Sequence, residues 1–222
     1  MRDYAVASGV YSSQRRNDST ESAGEPAFTG RLELHQLLAA AALNDGIDLA
    51  WGRVFFLYGP HEASARLVPS VVIPLLQGKL ALMGDGLAQR DFMHVQDVAT
   101  ALVTILDSQH RGAVNIATGH CTPIRDVVMT IAAQIGQQDL VRLGARLTPP
   151  EEPRLLAASG HVLAQLGFRP HFSLQTGLAD AIDWWRNQLA SGQTQHQSTV
   201  RKFEQKTALF TSTSADDCQR LT

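Results

Sequence analysis

The chain of 222 residues is poor in several things, and each shortage removes a class of protein. It has no excess of charge. Nineteen Lys and Arg against 21 Asp and Glu leave a formal charge of -2, which implies neither a polyanion-binding surface nor an acidic tail, and no local basic patch marks a nucleic-acid partner. Cysteine is confined to Cys121 and Cys218, too few and too far apart for a disulfide framework or a zinc site, which points to a reducing compartment. No run of about 18 apolar residues exists, and the N-terminus has no signal-peptide core, so the expectation is a cytoplasmic protein with no membrane segment. Internal repeats are absent as well.

What the chain does have is alternation of two periods. Tyr4–Ala7 and Val10-Tyr11 are apolar enough for a strand and its exit, and the polar stretch from Ser12 to Glu25 reads as a loop. Leu34, Leu37, Leu38, Ala41 and Ala42 recur three or four apart and predict a helix with one apolar face that ends near Asn44-Asp45-Gly46. Leu49–Leu57 follows as one buried strand, stopped by Tyr58-Gly59-Pro60. The same order then repeats: a helix over Leu67–Leu76 that Pro74 is expected to bend or interrupt, a turn at Gly84-Asp85-Gly86, and a short strand over Arg90–Val95. Next come a helix with Val98, Leu102, Val103 and Leu106 inward and a strand over Ala113–Ala117. A helix opened by Thr122 as cap and Pro123 in its first turn carries Ile124, Val127, Val128, Ile131 and Ile135. Helix and strand alternating in this way predict an α/β fold built on a parallel sheet.

The character changes after Gly136. Residues 136–190 are expected to form a small lobe over the sheet edge, with a short strand in Leu140–Leu143, a stiff loop at Pro149–Pro153, a short helix over His161–Leu166 and a last helix capped by Ser173. From residue 191 to 222, 15 of 32 residues are Ser, Thr or Gln. With only Phe203, Leu209 and Phe210 to offer a core, this reads as a disordered or loosely docked tail.

Chemistry concentrates in Gly84–Asp97, GDGLAQRDFMHVQD. Arg90 follows a turn, and its guanidinium fork can grip a phosphate or diphosphate, while Asp91 and His94 can pin nearby backbone and Asp97 sits at a helix start with a favourable dipole. Strand ends are where open α/β sheets bind ligands, which makes Tyr58 and Gly59 a candidate pocket floor. His35, His61 and His120 have no metal-ligand spacing and read as surface or loop residues, and His94 as structural.

Gly84–Asp97 together with Gly52–Pro60 (GRVFFLYGP) and the ending Ala179–Arg186 (ADAIDWWR) resembles the extended short-chain dehydrogenase/reductase family, the NAD-dependent epimerases and dehydratases of nucleotide sugars, over roughly Ala5 to Arg186. The resemblance implies the C-terminal part of a Rossmann-like parallel sheet with a small mixed substrate-binding lobe. It also implies a nucleotide-sugar substrate and NAD or NADP as cofactor. The family's Gly-rich fingerprint has no counterpart here, so the chain is expected to represent the second half of a family member, with binding of the dinucleotide in doubt. By the same resemblance the catalytic Ser or Thr falls on Ala7, one residue before Ser8, the catalytic Tyr on Phe28 and its partner Lys on Leu32. Phe28 has no proton to give and Leu32 no charge, so hydride-transfer chemistry is expected to be impaired. Arg66, Arg90 and Arg154 resemble substrate-binding positions along the nucleotide diphosphate, and Tyr58, Gly59 and Pro60 the loop beside the nicotinamide. Three functions stay open: an impaired epimerase/dehydratase-like protein, a non-catalytic partner or regulatory subunit of a full-length relative, and a fragment without function. A chain holding only the later strands would leave an open sheet edge, to be covered in a homo-oligomer or by such a relative, with Phe55, Phe56 and Leu57 suffering most if it stays bare.

Overall fold

The computed structural model describes residues 4–10, 25–148 and 153–191, with side chains from Glu33 onward. The expected loop up to residue 24, all of the expected stiff loop but Pro153, and the tail from residue 192 lie outside the described residues; Glu25, expected to end the loop, starts a helix. Strand β1 (Tyr4–Val10) leads to helix α1 (Glu25–Asp45), strand β2 (Asp48–Val54) and the three-residue strand β3 (Phe56–Tyr58). Helix α2 (Leu67–Leu76), strand β4 (Ala81–Leu82), strand β5 (Gln89–His94), helix α3 (Val95–Asp107) and strand β6 (Gly112–Ile116) follow. The remainder is strand β7 (Cys121–Pro123), helix α4 (Ile124–Ile135), strands β8 (Val141–Arg142) and β9 (Leu155–Leu156), and helices α5 (His161–Gln165) and α6 (Leu174–Ala190).

The expected α/β class and parallel sheet are present. Strands β1, β2 and β6 lie side by side in that order, all parallel, with Tyr4 opposite Asp48 and Val54 opposite Ile116. The single strand expected over Leu49–Leu57 is in fact two. After Val54 the chain leaves the first sheet, and Phe56–Tyr58 pairs in parallel with Phe92–His94 of β5. The apolar residues on both sides of Gly52-Arg53 conceal this change of partner, because nothing local marks Phe55 as a break. Phe55, Phe56 and Leu57 are accordingly half-buried at the crossing, and the buried hydrophobic residues of the run are Ala50, Trp51, Val54 and Tyr58.

β5 is the second sheet's centre, parallel to β3 and β9 and antiparallel to β7. Pairing with β5 also corrects the expected helix opening at Thr122-Pro123: both residues are in β7, and α4 starts at Ile124 without a side-chain cap. One core joins Val71, Val72 and Leu75 of α2 to Val127, Val128 and Ile131 of α4 and to Leu178, Ile182 and Trp185 of α6. A second joins Ala50, Val54, Val114 and Ile116 to Ala101 and Ile105 of α3 and to Leu163 and Phe168. Segment 136–190 thus contributes to both cores.

Two helix faces are rotated from expectation. On α3 the buried stripe is Asp97, Val98, Ala101 and Ile105, while Val103 and Leu106 face outward. On α1 Ala42 is buried and His35 and Leu38 half-buried, leaving Leu34, Leu37 and Leu43 exposed. Pro74 does not interrupt α2, which runs on for two more residues although the Ser70 carbonyl loses the N–H that residue 74 would otherwise donate. Ser173 caps α6 as expected, its hydroxyl accepting the Thr176 N–H.

Candidate functional site

The segment Arg90–Asp97 carries four buried polar side chains, and each ties β5 or the start of α3 to a different part of the chain. Arg90, 2% exposed, donates from Nη1 to the carbonyls of Gln89 at 2.9 Å and Pro153 at 2.8 Å, with its guanidinium carbon 5.4 Å from the centre of the Phe56 ring. Asp91 accepts from the Thr118 N–H at 2.9 Å, the Thr118 hydroxyl at 2.7 Å and the Gly119 N–H at 2.7 Å. Asp97 accepts from the N–H groups of His171 and Phe172, at 2.9 and 3.0 Å, and so fixes the approach to α6. Its role is therefore larger than favourable placement in a helix dipole.

His94 caps α3 through Nδ1, which accepts the Gln96 N–H at 3.4 Å. That leaves the ring proton on Nε2, directed at Asp180 Oδ2 on α6, 3.2 Å away. Burial lowers the His94 pKa from its ordinary value, against the opposing pull of Asp180 and Asp97, so the ring is neutral at pH 7. The ring is packed against Phe172 at 4.0 Å with a tilt of 31°, and edge-on to Tyr58 at 5.6 Å. The expected structural reading of His94 matches this geometry. Its partner Asp180 carries no signal of its own inside the acidic-aromatic run of α6, because nothing in the sequence says which strand a helical carboxylate will meet.

Tyr58 is a core residue, 2% exposed, with its hydroxyl donating to the Leu174 carbonyl at 3.4 Å. Burial raises its pKa, reinforced by Asp97 and Asp180. Gly59 has φ of 142° and no room for a side chain: a Cβ would stand 2.7 Å from Val95 and 3.0 Å from His94 Nε2. Pro60 is half-buried beside it. These three residues therefore close the end of β3 by packing. The Gly177 of α6 is pressed against the Tyr58 hydroxyl, with Tyr58 Cζ 3.0 Å from where a Cβ would sit. Gly177→Ala is expected to lose about 2 kcal/mol net, the overpacking cost exceeding the helix-propensity gain. Chemical denaturation measures the loss, and about half should return in the Tyr58→Phe background, which removes the crowded oxygen.

Of the three arginines assigned to substrate, two lie on adjoining backbone, one buried and one exposed. The Arg154 carbonyl accepts the Gln89 N–H at 2.7 Å, and Leu156 lies in register with Arg90, so Arg90, the second residue of β5, and the exposed Arg154, just before β9, are at the same end of the paired strands. Arg66, before the first turn of α2, meets Glu62 at 4.0 Å instead. Glu62 is a residue the sequence does not single out: its side chain is one-tenth exposed, one carboxylate oxygen has no hydrogen-bond partner, and burial pushes its pKa up to about 7 against the pull of Arg66 and the Gly59 backbone. Ala7 lies in β1 opposite Trp51, and Phe28 and Leu32 lie in α1. His61 packs on Trp184, His35 on Trp51, and His120 is an exposed loop residue. Among the described residues no group of His, Cys, Asp and Glu is placed to hold a metal ion. No helix among them is long and apolar enough to cross a membrane.

Parallel β1–β2–β6 with flanking helices, joined to a mixed sheet of four short strands centred on β5, define an α/β protein of Rossmann-like type. The chain belongs to the NAD dependent epimerase/dehydratase family, which matches residues 7–117, half of its length. It is 31% identical over 159 residues to GDP-L-fucose synthase 1 of Arabidopsis thaliana, covering 66% of this chain and 48% of that protein. It is 26% identical over 168 residues to dTDP-glucose 4,6-dehydratase of Shigella flexneri, covering 66% and 46%. The chain thus spans about half the length of the curated relatives it matches. Among solved structures, a UDP-N-acetylglucosamine 4-epimerase from Methanobrevibacter ruminantium M1, in complex with UDP-N-acetylmuramic acid, superposes with a TM-score of 0.72 at 19% identity, covering 84% of this chain and 64% of that one. The UDP-glucose 4-epimerase of Thermus thermophilus, in complex with NAD, gives 0.67 at 21% identity, covering 83% and 64%.

Proposed function

We propose that this chain binds a nucleotide sugar and has little or no hydride-transfer chemistry of its own. The observation that carries the reading is the pairing of β5 with β9, which puts Arg154, the residue just before β9, at the end of the pair where Arg90 lies in β5, two cations suited to a diphosphate. The names of the relatives support the ligand class, since each is named for a nucleotide-linked sugar. The loss of chemistry rests on Ala7, Phe28 and Leu32, which have no hydroxyl, no exchangeable proton and no charge where the family's catalytic positions fall. The dinucleotide finds no fitting cradle in Tyr58, Gly59 and Pro60: the Tyr58 hydroxyl is engaged by Leu174 and Gly59 is walled by Val95 and His94. No step through NAD or NADP follows from these residues.

Calorimetric titration with UDP, dTDP, GDP and CDP sugars and with NAD and NADP tests this. The expected result is binding of a nucleotide sugar without dinucleotide, and no reduction of added NAD. Arg154→Ala should weaken that binding at least about tenfold, the worth of one charge-assisted contact, while leaving the unfolding free energy within about 0.5 kcal/mol, because the side chain is exposed. Turnover of NAD by a nucleotide sugar, or failure of every sugar nucleotide to bind, sinks the reading. A second reading, a non-catalytic partner of a full-length relative, is favoured by β1, whose partner among the described residues is β2 alone, and by the exposed Leu34, Leu37 and Leu43 of α1. Co-purification with such a relative would support it.

A further inference from the structure

The loop between β3 and α2, Gly59–Arg66, is held in an unfavourable shape by two side chains. His61 has a φ of 65°, the one positive value at a residue other than glycine among the described residues, and Gly59 turns the chain into it with a φ of 142°. A side-chain-bearing residue stays in that region only where its surroundings hold it there. The His61 ring lies 4.8 Å from that of Trp184 on α6, and the Glu62 carboxyl, nine-tenths buried, accepts from the Gly59 N–H. The bond from the Arg66 N–H to the Ala63 carbonyl, at 2.9 Å, is internal to the loop and does not fasten it to the rest of the molecule.

Glu62 is a conditional fastening. One of its oxygens is buried without a hydrogen-bond partner, which a neutral carboxyl tolerates far better than a carboxylate. Little charge is at hand to offset ionisation. Arg66 stands 4.0 Å away and 39% exposed, and α2 has no charged residue. On α6, Asp180 is directed at His94 and Asp183 at Arg186. In the seated loop burial puts the Glu62 pKa at about 7, whereas a carboxyl swung into water has its ordinary value of 4.5. Losing the proton therefore favours the outward position.

We propose that Gly59–Arg66 is a pH-operated latch: the neutral Glu62 carboxyl seats the loop against α6, and the loop's outward excursions multiply once that carboxyl ionises. Gly59 is the pivot, and release lets His61 leave its strained backbone conformation. The latch stands at the C-terminal end of a parallel strand, the edge at which open α/β sheets take their ligands, and it does not depend on the nucleotide-sugar reading.

The test is hydrogen exchange of the Gly59 amide, whose acceptor leaves with Glu62, in the unmodified protein and in Glu62→Gln from pH 5 to pH 8. Dividing each rate by the intrinsic exchange rate at that pH leaves the opening constant. With pKa values of 4.5 outward and about 7 seated, that constant is expected to rise about seventyfold over the range in the unmodified protein and to stay within about threefold in Glu62→Gln. Local opening exposes little surface, so exchange at Gly59 should be unaffected by urea up to about 1 M, while the buried Ile131 of α4 exchanges more slowly and responds to urea. The same pH dependence in both proteins overturns the proposal. So does exchange at Gly59 no faster than at Ile131, which would mean that the loop opens only with the whole fold, and so does a Gly59 amide already unprotected at pH 5. Glu62→Met, which also cannot ionise, carries the same expectation and replaces Glu62→Gln should that variant fail to fold.

Discussion

Asp91→Ala is expected to lower the unfolding free energy by about 3–5 kcal/mol, among the largest effects available to a single substitution in this chain. The carboxylate is 1% exposed and receives three hydrogen bonds, two from backbone N–H groups and one from a hydroxyl, all within 2.9 Å. Bonds to a charged acceptor contribute about 1.5–3 kcal/mol each in net terms, and the alanine variant also strands two N–H donors that water reaches poorly. Asp91→Asn should lose less, about 2 kcal/mol, since its amide oxygen still accepts while its NH2 group confronts a donor. Urea unfolding of the two variants beside the parent checks both figures. A loss below about 1 kcal/mol for Asp91→Ala would mean that the loop at Thr118 and Gly119 is not held from β5.

The same logic explains why β5 is so polar for a strand with so little exposure. A strand that pairs with three others and still touches α6 must order segments arriving from distant parts of the chain, and apolar contacts alone do not specify register. Arg90, Asp91 and His94 do so by direction, toward the Pro153 carbonyl, the Thr118–Gly119 donors and the Asp180 carboxylate, and a one-residue slip of β5 would misplace all three. The candidate diphosphate site is built from this scaffold, because the β5–β9 pairing that presents Arg154 is also the pairing that brings the Pro153 carbonyl to Arg90.

How much of this is legible in the sequence depends on whether the signal is local. The order of helices and strands is visible in its periods, and so are the cap at Ser173 and the density of polar residues from Arg90 to Asp97, since each depends on neighbours in sequence. The division at Phe55 is not, because an apolar run looks the same whether it has one set of strand partners or two. The faces of α1 and α3 elude the sequence for a related reason. Leu34, Leu37, Val103 and Leu106 are apolar and helically spaced, yet which apolar stripe turns inward is settled by the sheet beneath it. Thr122-Pro123 has the local chemistry of a helix start and is claimed by β5 as a strand, a tertiary contact overriding a capping preference. Glu62 gives no signal at all, being an ordinary carboxylate in a loop until the fold buries it.

That burial makes Glu62→Gln a stabilising change at pH 8, by about 3 kcal/mol, and a nearly neutral one at pH 4. The carboxyl has an ordinary pKa of 4.5 in the unfolded chain and about 7 in the folded one, with burial the largest cause. A folded pKa raised above the unfolded value means that folding favours the protonated form. The stability this contributes is fully present below pH 4.5, falls as the unfolded chain ionises, and is lost once pH has risen through about 7. Above that point the protein carries a buried carboxylate with one oxygen unsatisfied, and Arg66, 4.0 Å away and 39% exposed, offsets only part of the penalty. Gln keeps the shape of the protonated acid, supplies a donor in place of the acid proton and does not titrate. Thermal unfolding from pH 4 to pH 8 should therefore show the parent and the variant converging at the acid end and separating steadily between about pH 5 and pH 7. Parallel curves across the range would place the Glu62 carboxylate in water in the folded protein. Arg66→Gln gives the complementary result, harmless at pH 4 and destabilising at pH 8, because the arginine faces a charge only after Glu62 has lost its proton.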